Sequence, residues 1–115
     1  MTEPVDVARR AVEISSEHQA SDVVLLDLTP LNAFADYFVI LSAESARQIS
    51  ALTDALAQGL KESGGHLRRQ EGTPNSGWVL LDFSNVVVHV FALEEREYYQ
   101  LEDAWSEAIP LVRIQ

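Results

Sequence analysis

The stretch WVLLDFSNVVVHVF, Trp78 to Phe91, restricts the possible folds of this chain more than any other segment. Two runs of strand-forming residues flank Ser84-Asn85, which reads as a two-residue hairpin loop. That loop sets the register: Phe83 faces Val86, Asp82 faces Val87 and Leu81 faces Val88. Side chains alternate across a strand, so one face carries Val79, Leu81, Phe83, Val86, Val88 and Val90, and the other carries Trp78, Leu80, Asp82, Val87, His89 and Phe91. The first set is wholly apolar and predicts core. The second is mostly apolar but holds a carboxylate and an imidazole on diagonal positions, close enough to interact across the strands. Such a face packs under another element or meets a partner. Asn85 is the residue expected to tolerate the left-handed conformation of the turn.

Around this hairpin the periodicities predict an α/β (α+β) arrangement. Pro4 to Gln19 spaces Val5, Ala8 and Val12 on one helical stripe beside Val7, Ala11 and Ile14, with Thr2 as the expected cap and Pro4 in the first turn, where proline is tolerated. VVLLDL after Asp22 and YFVIL at Tyr37 to Leu41 are short continuous apolar runs and predict buried strands. Ser45 and Gln48 stand in capping-box spacing ahead of Ile49, Leu52, Leu56 and Leu60, and Gly64-Gly65 stops that helix. His66 to Gln70 predicts a short strand and Glu71 to Gly77 a loop. A last helix is expected from Glu95 to Ala108, with Tyr98, Leu101, Trp105 and Ala108 on one buried stripe and Pro110 ending it. The strand, helix, strand unit at Tyr37 to Gln70 predicts parallel strands. The sum is a mixed sheet of about five strands with helices packed on it.

At 115 residues and 47% hydrophobic content the chain, 1–115, is expected to form one domain around one core. Its net charge of −10 repels phosphate backbones, which argues against DNA binding by counterion release and favours a basic protein partner. There is no cysteine, which excludes a disulfide framework and a thiolate metal site. MTEPVDVARRAVEIS lacks the character of a signal or transit peptide, and no segment has the length and apolarity to span a membrane, so the expected location is cytoplasmic.

Asp82 and His89 invite a catalytic reading, in which the carboxylate orients an imidazole base, but no cysteine or elbow serine accompanies them. His18, His66 and His89 have no metal-ligand spacing, and no glycine-rich phosphate cradle exists, so neither a metal nor a cofactor is expected. Trp78 reads in two ways, as a residue packed beneath a helix or as an anchor in a partner's pocket. Glu94, Glu95, Glu97, Glu102 and Asp103 give the segment after the hairpin an acidic surface that could rim an interface. An exposed apolar face also invites a homodimer.

DYFVILS at Asp36 to Ser42, SARQISALTDAL at Ser45 to Leu56, Glu71-Gly72, the hairpin itself and EREYYQLEDAW at Glu95 to Trp105 together resemble the ribosomal silencing factor family, the RsfS or Iojap-like proteins. The resemblance runs from about Asp22 to Trp105. It implies a nucleotidyltransferase-like fold without that enzyme's activity. It also implies binding to the large ribosomal subunit through its universal protein fourteen, which blocks joining of the small subunit and represses translation. The family's characteristic residues fall on Asp36, Ser42, Ser45, Arg47, Trp78, Asp82, His89, Arg96, Tyr99, Leu101, Glu102 and Trp105. The expected contact residues are Trp78, Leu80, Asp82, His89, Arg96 and Tyr99, with no catalytic residue. The chain departs from the family pattern at Ala43, Ser84-Asn85 and Ala104. An active nucleotidyltransferase needs paired acids on the strand after the Ser45 helix, and that segment reads HLRRQ. An enzyme acting on nucleotides or phosphoesters, centred on Asp82 and His89, is the alternative.

Overall fold

Apolar residues alternating along the central strands build two layers of core in the computed structural model, which describes residues 3–115. In chain order the elements are α1 (Pro4–Glu17), β1 (Ser21–Asp27), β2 (Tyr37–Ala43), α2 (Ala46–Glu62), β3 (Arg69–Glu71), β4 (Trp78–Asp82), β5 (Val86–Ala92), α3 (Leu93–Tyr99), α4 (Leu101–Ala104) and β6 (Ile109–Ile114). The six strands form one sheet in the order β3-β4-β5-β2-β1-β6. Among the described residues only the β2–β5 pairing is parallel.

The helices pack on one face of this sheet. Val7, Ala11 and Ile14 of α1, with Ile49, Leu52, Leu56 and Leu60 of α2, cover Val23, Leu25, Val39, Leu41, Leu81, Val88 and Val90. The two helices approach closely at Gly59, where a Cβ would run into the Ile14 side chain. Helix α2 begins as its sequence dictates: Ser45 Oγ accepts from the Gln48 amide at 3.1 Å. The Gln48 side chain does not close the box on Ser45. It accepts from the Glu44 amide instead and reaches across to the Gln19 carbonyl, tying the start of α2 to the end of α1. Thr2 lies outside the described residues, and the capping position of α1 is Glu3, whose amide donates to Asp6 Oδ2.

The opposite face carries a second, smaller core of Val24, Leu26, Leu28, Ala35, Phe38, Ile40, Val87, Phe91 and Ala108. It is closed by the segment after β1 and by Leu101 and Trp105.

Several expectations give way here. The sheet has six strands, since Ile109–Ile114 pairs antiparallel with β1 at the sheet edge. The pairing shifts register between Leu25 and Leu26, and Pro110 stands beside that irregularity, a position where a missing N–H is tolerated. Strands β2 and β3 do run in the same direction, but β5 and β4 separate them. The single helix expected from Glu95 to Ala108 is two short ones, broken at Gln100, whose φ of 46° is left-handed. That break shifts the helical phase, so Tyr98 is 81% exposed, not buried, while Ala108 stays in the core. The residue with positive φ in the hairpin turn is Ser84, at 75°, not Asn85. Asp82 Oδ1 accepts from the Ser84 amide at 2.7 Å, a local bond that holds the turn in this conformation.

Candidate functional site

The hairpin register is the expected one, from Trp78 opposite Phe91 to Asp82 opposite Val87. Its first face lies wholly in the helix-covered core. Its second face divides. On β5, at the centre of the sheet, Val87, His89 and Phe91 are sealed. On β4, next to the short edge strand β3, Trp78, Leu80 and Asp82 remain half-buried. The face that sequence could describe only as packed or partner-binding is therefore packed on the β5 arm and half-open on the β4 arm.

Aromatic rings organise this region. Trp78 packs on Phe91 and on Tyr99, each with ring centroids 4.8 Å apart, and Tyr98 meets Tyr99 edge-on at 5.0 Å. A second group links Phe34, Phe38 and Trp105, and His89 sits edge-on to Phe38 at 4.6 Å. Trp78, Leu80 and Tyr99 line an open cavity of about 290 Å³ with Glu71, Gly72 and Ser76. Gly72 is required here: its φ is +83°, and a Cβ would collide with the Trp78 carbonyl. Tyr99 is 50% exposed at the rim. The surface thus offers a tryptophan and a tyrosine, residue types enriched where binding energy concentrates, beside a leucine and a carboxylate.

The expected contact residues have unequal positions. Trp78, Leu80 and Tyr99 come together and reach solvent. Asp82 is nearby but committed, through one oxygen to the Ser84 amide and through the other to Arg69 Nε at 3.4 Å. His89 is 3% exposed and does not touch Asp82; its Nδ1 accepts from Trp78 Nε1 at 3.2 Å. The cross-strand carboxylate–imidazole pair suggested by the register does not form, because the aromatic stack draws the imidazole toward Trp78 while the turn and Arg69 hold the carboxylate. Burial depresses the His89 pKa to about 3, which keeps the ring neutral.

Arg96 is also buried, at 8% exposure, and its guanidinium is engaged within the chain. It donates to Ser42 Oγ at 3.0 Å, to Glu102 Oε1 at 2.9 Å and to the Asp22 carbonyl. Arg113 of β6 completes the cluster, at 2.7 Å from Asp22 and 3.0 Å from Glu102. Burial alone would raise the Glu102 pKa, but hydrogen bonds and charge from Arg96, then Arg113, outweigh it and hold the carboxyl below its ordinary value. These ties fasten β1, β6 and the α3–α4 corner together. No local signal in the sequence announces them, since Arg96 and Arg113 lie 74 and 91 residues from Asp22. Glu71 and Gly72, by contrast, were visible as a motif but not as the wall of a cavity.

Among the described residues, no group of three His, Asp or Glu side chains could hold a metal ion, and no helix is long and apolar enough to cross a membrane. Fold and site define a mixed α/β domain with one sheet face covered by helices and the other presenting a half-open aromatic surface at one end. The family described as "Ribosomal silencing factor during starvation" matches residues 2–115, and this chain belongs to that family, RsfS. It is 36% identical over 110 residues to the ribosomal silencing factor RsfS of Halalkalibacterium halodurans, covering 96% of this chain and 93% of the relative. The factor of the same name from Bacillus subtilis is 34% identical over 102 residues, 89% of this chain and 86% of that one. A crystal structure of a Chromobacterium violaceum protein superposes with a TM-score of 0.85 at 31% identity, covering 90% of this chain and 87% of the other.

Proposed function

We propose that this protein docks on the large ribosomal subunit through its universal protein fourteen and silences translation by obstructing entry of the small subunit. The observation that carries the reading is the open cavity at Trp78, Leu80 and Tyr99, walled on one side by Glu71. A lysine or arginine of a basic partner can lay its aliphatic stem on those rings and direct its charge to the carboxylate. A net charge of −10 speeds encounter with such a partner and disfavours direct contact with ribosomal RNA or DNA. The protein acts in the cytoplasm as a steric blocker and not as an enzyme. The alternative centre, Asp82 with His89, is disfavoured because both groups are already committed elsewhere.

Trp78, Leu80 and Tyr99 are the contact residues in this reading. Asp82 and His89 support them from below, and Arg96 holds the α3–α4 corner. Co-sedimentation with isolated large subunits at low salt is the test. The wild type is expected to bind, and Trp78→Ala to weaken binding by at least about thirtyfold, as expected on losing a hot-spot aromatic. Absence of wild-type binding would sink the proposal. Phe34 at 75% exposure and Tyr98 at 81% favour a second use of the same side of the molecule, self-association into a homodimer. Light scattering of the wild type and Tyr98→Ser tests it, with a monomer at all concentrations as the refuting result.

A further inference from the structure

We propose that His89 is the positioning residue of the docking surface: buried behind Trp78, it accepts the indole N–H and thereby sets the orientation of the ring that a partner meets. The role rests on reading the Trp78 cavity as the docking site. An indole N–H only donates, so its 3.2 Å contact with His89 makes Nδ1 the acceptor and places the imidazole proton on Nε2. A protonated imidazole, a donor at both nitrogens, could not make this bond.

The aromatic neighbours do not do this work alone. Phe91 and Tyr99 flank the Trp78 ring at 4.8 Å on tilted planes, contacts that tolerate a range of ring angles. Only the hydrogen bond distinguishes one direction of the indole from another. Trp78 is half-buried on an edge-proximal strand, where a ring without a directional partner would have several rotamers open to it. Ordering it beforehand removes part of the entropy that binding would otherwise cost.

Folding alone gives no reason for an imidazole at this position. His89 Nε2 has no hydrogen-bond partner, and the ring lies edge-on to Phe38 in an apolar layer. An aliphatic side chain would occupy the layer without stranding a ring nitrogen, so the polar atom that earns its place is Nδ1, and its one partner is Trp78.

The two indole N–H resonances, assigned with Trp105→Phe, and the nitrogen resonances of His89 report the geometry directly. The wild type is expected to show a proton on Nε2 and a hydrogen-bonded Trp78 indole. In His89→Asn the side-chain oxygen can take over the role of Nδ1, so the indole bond is retained and affinity for isolated large subunits stays within about twofold. In His89→Leu the indole resonance moves and co-sedimentation weakens roughly fivefold, the worth of one neutral hydrogen bond. A proton on Nδ1 overturns the proposal, as does His89→Leu binding like wild type with its indole displaced. Should the leucine variant fail to fold, the wild-type tautomer and the asparagine rescue still decide. A wild type that does not co-sediment refutes the docking reading alone, and the tautomer and indole resonances still decide whether His89 orients Trp78.

Discussion

Acid charges His89 in the unfolded chain long before it can charge it in the folded one, and this difference sets a measurable loss of stability. The imidazole has an ordinary value of 6.5 and is depressed to about 3 in the native state, with burial as the cause. Above pH 6.5 both states hold it neutral and it contributes nothing to the pH dependence. Below 6.5 the unfolded state binds the proton and the folded state does not, so stability falls with pH until the folded value near 3 is reached. Each unit is worth about 1.36 kcal/mol once the unfolded group titrates fully, so between about pH 7.5 and about pH 4.5 the loss is about 2.7 kcal/mol. Urea unfolding of wild type and His89→Asn at a series of pH values isolates this group, because every carboxylate and the other two histidines are common to both proteins. Asparagine has its own baseline cost, so the quantity to follow is the difference between the two stabilities. That difference should shrink by about 2.7 kcal/mol over the interval. A flat difference would mean that His89 titrates alike in both states, and the reasoning from its burial would be wrong.

Replacing Arg96 with Ala strands the Asp22 and Glu102 carboxylates with only Arg113 for company, and is expected to cost about 3 kcal/mol in unfolding free energy. The same variant should release Glu102 toward its ordinary value; the stability this group contributes is present above 4.5 and lost as pH falls, so the acid limb of the stability profile should flatten. Ser45→Ala removes the acceptor of the Gln48 amide and should lower stability by about 1 kcal/mol without affecting subunit binding, as checked by denaturation and co-sedimentation. Gly72→Ala forces a side chain against the Trp78 carbonyl at positive φ, and should destabilise by more than about 1 kcal/mol while reducing binding through displacement of Trp78.

Much of the fold was legible where neighbouring residues carry the information. The alternation in WVLLDFSNVVVHVF specified both the pairing register and the two faces, because side-chain direction follows from the pleat alone. Ser45 and Gln48 marked the start of α2 because the capping bond spans three residues. Strand β6 was hidden because IPLVRI is short, contains Pro110 and owes its conformation to pairing with β1, far away in the chain. The break at Gln100 was hidden too, since a glutamine in the left-handed region leaves no glycine to signal it. From that break came the misplaced Tyr98 stripe.

The sequence by itself determined which residues share a face, that one hairpin face is more apolar than a solvated sheet requires, and that the chain is strongly acidic. Only the tertiary structure decided which arm of that second face is sealed and which is open. Burial depends on a strand's place in the sheet: β5 lies near the middle under Phe38 and Tyr99, whereas β4 has only the three-residue β3 beyond it. Only the fold, too, shows that His89 and Arg96, polar in sequence and plausible as contacts, lie in the interior, the first accepting from Trp78 and the second tied to Asp22, Ser42 and Glu102.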